Sequence, residues 1–340
     1  MSKTVRNLII VLAVFIIADV GLIALWFNKK GDKGLESDSS TSPLKSYVTT
    51  AATTFSTTTV PEPAAESQPE ESSDAPDQSE TESKEDDSSQ SGEPSAALYV
   101  LNENAPLLSD GLKEIYRANK GDMFTGVPDK DNPDYIRVDY MYDTKLVHKD
   151  KVTENSKAVV LHTAAVGQRG GSVDGFSACG PTAAAILVDW EKNEKTDKDA
   201  LIRYAEQHGF DNQGKLSSQN GGMTADKVVE LINSYYKGLY TAKNVYNDLP
   251  AAKLTELIDN GHRAMISVKY TGQIVENNPS ALVHFVVVCG YEDRDDGRYF
   301  YYADPFYANG GRSLFVVSSK LIENSMKSIT NEPATMIVVE

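Results

Sequence analysis

Residues 31–97 set the first limit on what this chain can fold into, because they contain few bulky apolar side chains and are dominated by Ser, Thr, Glu, Asp, Pro and Ala. Such a segment cannot bury enough apolar surface to offset the conformational entropy that it would lose on ordering. We therefore expect a low-complexity, disordered stalk over residues 28–97. The 243 residues from 98 to 340 remain for a folded core, which is room for one sizeable core in one or two lobes.

The net charge of −16 also lies mainly in this segment, since Glu62–Glu93 hold twelve acids and one base, which is −11 of the −16. An acidic chain is a poor sequence-independent binder of nucleic acid, because such binding requires Lys and Arg to neutralise phosphates. We expect no nucleic-acid partner. The two cysteines, Cys179 and Cys289, exclude a disulfide framework.

The N-terminus carries an apolar run of 20 residues, Leu8–Phe27, interrupted only by Asp19 and Gly21. This is the length that crosses about 30 Å of hydrocarbon as a helix. It exceeds the apolar core of a cleavable signal peptide, and no small-residue cleavage site follows. We expect residues 1–7 in the cytoplasm, an uncleaved signal anchor over 8–27, and the C-terminal domain outside a bacterial cell membrane. Lys and Arg are nearly balanced on the two sides of the run, so their distribution does not indicate which end faces the cytoplasm. We assign the orientation from the Ser/Thr/Pro-rich, acidic composition of the stalk, which is typical of segments outside the cell.

Residues 98–157 form an N-terminal extension of the folded domain, to which the sequence assigns no chemistry. A short helix is predicted near Leu112–Asn119 and a β-like segment around Tyr135–Tyr142, separated by Gly, Pro and Asp turns.

From residue 178 onward, helical periodicity comes first and strand patterns follow. The predicted helices are Cys179–Lys192, a second capped by Thr196 and running through Ala205, Ala225–Tyr235, Ala252–Asn260 and, later, Ser318–Lys327. The predicted strands are Arg263–Tyr270, Leu282–Tyr291, Tyr299–Ala303, Ser313–Val317 and Ala334–Val339. This order predicts an α+β architecture with helices packed on one mainly antiparallel sheet.

Three residues in this region are candidates for catalytic roles. Cys179 starts a helix, where the dipole favours the nucleophilic thiolate, although a buried structural cysteine would fit the same position. His284 lies in an otherwise apolar strand and needs a polar partner, as a catalytic base or as a satisfied core histidine. Asp304 ends a strand and could orient an imidazole, although Asp-Pro is also a common turn.

The motifs around these residues resemble a known family. Ala-Cys-Gly-Pro-Thr at 178–182, His-Phe-Val-Val-Val at 284–288 and Asp-Pro at 304–305 are similar to papain-like peptidases related to the double-glycine, bacteriocin-processing peptidases. The resemblance implies a papain-like fold whose helical lobe carries the Cys helix, a peptidase-like domain over 158–340, and no metal or organic cofactor. It makes Cys179 the nucleophile, His284 the general base and Asp304 the residue that orients His284. It also implies an oxyanion hole formed by the Gln168 side chain and the backbone N–H of Cys179.

Together these features predict a membrane-anchored extracellular cysteine peptidase whose partners are peptide or protein substrates, including wall-associated ones. Two alternatives stay open from the sequence. One is a non-catalytic surface binding or adhesion module on the same fold, and the other is an endopeptidase or amidase acting on peptidoglycan stem peptides. The complete Cys, His and Asp set favours an enzyme.

Overall fold

The structure is a computed structural model and describes residues 96–173, 175–211, 216, 222–306, 313–330 and 333–340. The expected anchor at 8–27 and nearly all of the expected stalk lie outside the described residues. Within the described ranges, no helix combines the length and the apolar character that a membrane crossing requires.

The regular secondary structure of the N-terminal extension consists of β-strands and one 3-10 turn at Lys149–Lys151. Its strands are β1 (Ala97–Leu101), β2 (Ala105–Leu108), β3 (Glu114–Ala118), β4 (Met123–Pro128), β5 (Tyr135–Tyr140), β6 (Asp143–His148) and β7 (Val152–Asn155). They form a seven-stranded antiparallel sheet in the spatial order β3-β2-β6-β5-β4-β1-β7. Alternate residues such as Leu107, Phe124 and Val138 point into a core of their own.

The helix predicted near Leu112–Asn119 is wrong. Leu112 lies in a hairpin turn with a left-handed φ of 58°, and β3 follows, pairing with β2 through Leu107↔Tyr116 and Ala105↔Ala118. Burial along β3 follows a period of two, because Ala118 is buried and Tyr116 half-buried while Ile115 is exposed. The β-favouring Ile-Tyr pair and this alternation outweigh the local helical pattern.

The C-terminal part holds all the helices that the structure describes. They are α1 (Cys179–Lys192), α2 (Lys198–Gln207), α3 (Ala225–Tyr235), α4 (Pro250–Asp259) and α5 (Ser319–Lys327). Its strands are β8 (Val159–Val160), β9 (Ala242–Asn244), β10 (Ala264–Tyr270), β11 (Leu282–Arg294), β12 (Gly297–Ala303), β13 (Phe315–Ser318) and β14 (Met336–Val339). The second sheet has the order β13-β12-β11-β10-β14-β9, with β8 paired to β11. The expected α+β architecture, with helices packed on antiparallel sheet, is confirmed.

The second sheet separates two cores. Along β11, Val287 and Cys289 pack with α1 in one core, whereas Val286 and Val288 pack with α4 and α5 in the other, as the alternation of side chains on a strand requires. The three consecutive alanines at 183–185 of α1 are fully buried, and their small size lets the helix approach the sheet closely. Cys289 is therefore a core residue.

Helix starts differ slightly from the prediction. The second helix begins at Lys198, and its N-cap is Asp197, whose side chain accepts from the N–H of Asp199. The expected cap, Thr196, instead makes a buried side-chain hydrogen bond of 2.6 Å to Tyr236. Asp is at least as favourable as Thr at the N-cap position. With Asp197 as the N-cap, α2 begins one residue later than predicted.

Candidate active site

Cys179 is the first residue of α1 and is partly exposed, so its sulfur lies at the positive end of the helix dipole. The residues that follow explain the local fold. Pro181 occupies the first turn, where its missing N–H costs no hydrogen bond. A Cβ at Gly180 would lie 3.2 Å from Val228 and 3.4 Å from Met223, so glycine lets the helix start lie close to α3.

His284 lies near the start of β11 and is only 5% exposed. Its Nε2 is 2.8 Å from Oδ1 of Asp304, and because a carboxylate only accepts, this nitrogen carries the proton. Asp304 follows directly after β12 and is fully buried. Its Oδ1 also accepts the backbone N–H of Phe306 at 2.8 Å, and its Oδ2 accepts the hydroxyl of Tyr270 at 2.6 Å.

The pKa of His284 reflects opposing effects. Burial by itself lowers this pKa, but hydrogen bonds to Asp304 and to the side chain of Cys179, with the attraction of both groups, raise it from 6.5 to about 10. These interactions therefore favour the imidazolium form of His284. The structure thus links the imidazole to a thiol on one side and a buried carboxylate on the other.

Gln168 is buried in the loop that precedes α1. Its Nε2 donates to the carbonyls of Gly175 at 3.1 Å and Phe176 at 2.7 Å, while Oε1 has no hydrogen-bond partner among the described residues. Its backbone N–H donates to the carbonyl of Pro305 at 2.8 Å, so the loop is attached beside Asp304. A Cβ at Gly175 would lie 1.7 Å from the Gln168 carbonyl oxygen, and glycine is therefore required for this close approach.

Gln168, Cys179 and His284 line one cavity of about 860 Å³. Its apolar walls include Phe176, Met223, Leu282, Phe285 and Phe306. Neither acids nor Lys or Arg occur among its described lining residues.

A larger cavity, of about 1090 Å³, lies between the first sheet and α1 and contains none of these three residues. Two of its charged lining residues form ion pairs: His162 lies 2.8 Å from Asp139, and Arg263 lies 3.1 Å from Glu191. Thr125 adds hydrogen bonds to Asp139 at 2.6 Å and to the Thr163 carbonyl at 2.9 Å. This cavity is therefore part of the joint between the two sheets.

The structure places the four residues singled out from the sequence in one region. Gln168, Cys179 and His284 border the smaller cavity, and Asp304 lies directly behind His284. Sequence reasoning missed Tyr270, which contacts both His284 and Asp304. Knowledge of how β10 pairs with β11 would have revealed it. Val268 pairs with His284, and Tyr270 lies two residues further along β10 on the same face.

Comparison with known proteins identifies the family of this chain. The sequence model of the Peptidase_C39 like family matches residues 160–329, half of the 340 residues. No curated protein matches the chain.

Several solved structures are similar at low identity. Digestive procathepsin L 3 of the Tenebrio molitor larval midgut is 13% identical, with 54% of this chain and 69% of that chain covered and a TM-score of 0.35. The bromelain protease from Ananas comosus is 13% identical, with 54% and 98% covered and a TM-score of 0.34. NlpC1 from Trichomonas vaginalis is 10% identical, with 74% and 95% covered and a TM-score of 0.18.

Proposed function

Because the chain belongs to the Peptidase_C39 like family and is a papain-like cysteine peptidase, we propose that it hydrolyses amide bonds of extracellular polypeptides through a triad of Cys179, His284 and Asp304. The observation that carries this proposal is the double engagement of His284. Its Nε2 is hydrogen-bonded to a fully buried carboxylate, and its imidazole borders the same cavity as Cys179, whose side chain also raises the pKa of the imidazole. A satisfied core histidine would need no thiol partner at a helix start.

In the proposed reaction, the Cys179 thiolate forms a bond to the carbonyl carbon of the substrate amide, and the carbonyl oxygen becomes an oxyanion. Asp304 engages Nε2, so Nδ1 of His284 is the nitrogen that exchanges the proton. His284 donates that proton to the leaving amine as the C–N bond breaks, which leaves a thioester on Cys179. His284 then takes a proton from water, whose oxygen attacks the thioester, and the C–S bond breaks to release the acid product and restore the Cys179 thiolate beside the imidazolium.

The proposed oxyanion hole consists of the backbone N–H of Cys179 and the side-chain amide of Gln168. Both N–H groups of this amide have carbonyl partners, Gly175 and Phe176, in the structure. We expect the amide to exchange one of these partners for the oxyanion when substrate is bound. The backbone hydrogen bond from Gln168 to Pro305 keeps the residue beside the triad during that exchange.

The lining of the cavity indicates the substrate segment that fits next to the scissile bond. Its described walls combine apolar side chains with Ser and Thr, without Asp, Glu, Lys or Arg. Burying a charged side chain without a partner is costly. We therefore expect cleavage where the residues on both sides of the scissile bond are uncharged.

A cleavage assay tests the proposed triad and its substrate together. The full-length protein in detergent is incubated with a library of unstructured peptides and, separately, with peptidoglycan stem peptides. We expect the wild type and Cys289→Ala to cleave the library and Cys179→Ala to be inactive. Equal cleavage by the wild type and Cys179→Ala would overturn the triad, and cleavage of stem peptides alone would select the peptidoglycan alternative.

We also propose that Leu8–Phe27 anchors the protein in a bacterial cell membrane with the catalytic domain outside, on the grounds of the 20-residue apolar run and the acidic Ser/Thr/Pro-rich stalk. Protease added to intact cells should release a soluble fragment that begins within residues 28–97. A domain that stays protected until the cells are lysed would instead face the cytosol.

A further inference from the structure

Tyr270 owes its place beside His284 to strand register. In the antiparallel pair of β10 and β11, Val268 lies opposite His284 and Tyr270 lies opposite Leu282. Residues two apart on a strand share a face, so Tyr270 is the diagonal neighbour of His284. The two ring centroids are 4.4 Å apart with an interplanar angle of 34°, and the tyrosine ring therefore covers the imidazole.

The hydroxyl of Tyr270 completes the surroundings of Asp304. It donates to Oδ2 at 2.6 Å, while Oδ1 accepts from His284 and from the Phe306 N–H, each at 2.8 Å. The carboxylate is fully buried, so these donors replace the water that it would bind outside the protein. Three donors from different directions fix its plane as well as its position.

We infer that Tyr270 is a positioning residue of this site, which holds the Asp304 carboxylate through its hydroxyl and the His284 imidazole through its ring. This inference rests on the proposed triad and extends it by a fourth member that does not react. Phe306 supports the same ring from the edge, with centroids 6.3 Å apart at 87°. Packing on two sides limits rotation of His284, so Nε2 stays directed at Asp304.

The hydroxyl has a chemical consequence as well. A donor to Oδ2 draws negative charge away from the oxygen that faces His284, so the imidazolium is held less tightly. A less tightly held imidazolium is a stronger acid toward the leaving amine. The other ionisable groups that face His284 are Cys179 from α1 and Asp304 from the end of β12, and the Arg169 guanidinium lies behind the Phe306 ring, 4.9 Å from its centroid.

Tyr270→Phe in the full-length protein tests the inference, because it removes the hydroxyl and keeps the ring. We expect kcat to fall about tenfold, equivalent to about 1.4 kcal/mol of transition-state stabilisation, with KM nearly unchanged. We also expect the alkaline limb of the kcat–pH profile to move to higher pH. The matched control is Tyr236→Phe, since Tyr236 is also 7% exposed and also makes a 2.6 Å hydrogen bond, to Thr196, outside the site. The control should retain the wild-type kcat and alkaline limb.

A second variant pair separates action through Asp304 from contact with the substrate. In an Asp304→Asn background, Tyr270→Phe should cause less than a twofold further change in kcat, because the two side chains act as one unit. An unchanged kcat and limb in Tyr270→Phe would overturn the inference, as would a tenfold loss that persists in the Asp304→Asn background. If Cys179→Ala keeps wild-type activity, the triad itself fails; if the activity depends on Cys179 but not on Tyr270, only this inference fails.

Discussion

Replacing Asp304 by Asn tests how the site keeps His284 charged. The carboxylate is fully buried and lies 2.8 Å from Nε2 of His284. Asparagine keeps the shape and can still accept that hydrogen bond through its amide oxygen, but it removes the negative charge. The pKa of His284, raised to about 10 with Asp304 among the causes, must therefore fall in this variant.

The size of the fall follows from the type of hydrogen bond that is lost. Hydrogen bonds to charged groups contribute about 1.5–3 kcal/mol and neutral ones about 0.5–1.5 kcal/mol, so the substitution removes about 1–1.5 kcal/mol of preference for the imidazolium. One pKa unit corresponds to about 1.4 kcal/mol. The pKa of His284 should therefore fall by about one unit. Since the protonated form exists below the pKa, activity that depends on it should disappear at a lower pH.

The assay is the pH profile of kcat/KM between about pH 5 and 11. We expect the alkaline limb of Asp304→Asn to lie about one unit below that of the wild type. Asp129→Asn is the matched control, because Asp129 is also buried and paired with a base, Arg137, but lies outside the site. Superimposable alkaline limbs for the wild type and Asp304→Asn would refute the role assigned to Asp304.

Two further predictions concern the cavity and the second cysteine. Gln168→Ala should lower kcat about 10²–10³-fold, the usual loss for one oxyanion donor, while circular dichroism shows the fold intact; an unchanged rate would mean that another donor serves the oxyanion. Mass spectrometry after iodoacetamide treatment near pH 7 should find Cys179 alkylated and Cys289 unmodified, because burial raises the pKa of Cys289 to about 12 and leaves it 0% exposed. Alkylation of Cys289 at the same rate as Cys179 would contradict that assignment.

The elements that carry the site could be predicted from local sequence signals. The start of α1 at Cys179 follows from Pro181 in the first turn and from the alanines behind it, and β11 follows from its run of β-branched residues. Contacts across the sheet were less accessible to such reasoning. The place of Tyr270 depends on the register of β10 against β11, and a shift of one residue would put its side chain on the other face.

The N-terminal extension shows the opposite case. Residues 112–119 have a composition compatible with a short helix, but Glu114–Ala118 pair with β2 as a strand. Tertiary pairing commonly overrides such weak local propensity. The two carbonyl partners of the Gln168 amide were equally inaccessible, because they depend on a close approach of Gly175 to Gln168 that a loop sequence does not specify.

In the proposed reaction, Cys179 becomes acylated and His284 protonates the amine that leaves. The most direct measurement is a rapid acid quench of the full-length protein during turnover of a cleavable peptide, followed by mass spectrometry of its fragments. We expect the acyl half of the substrate attached by a thioester to the fragment that contains Cys179, at an early time point, and no adduct in Cys179→Ala. Rapid turnover with no adduct on Cys179, in an assay whose activity survives Cys179→Ala, would contradict it.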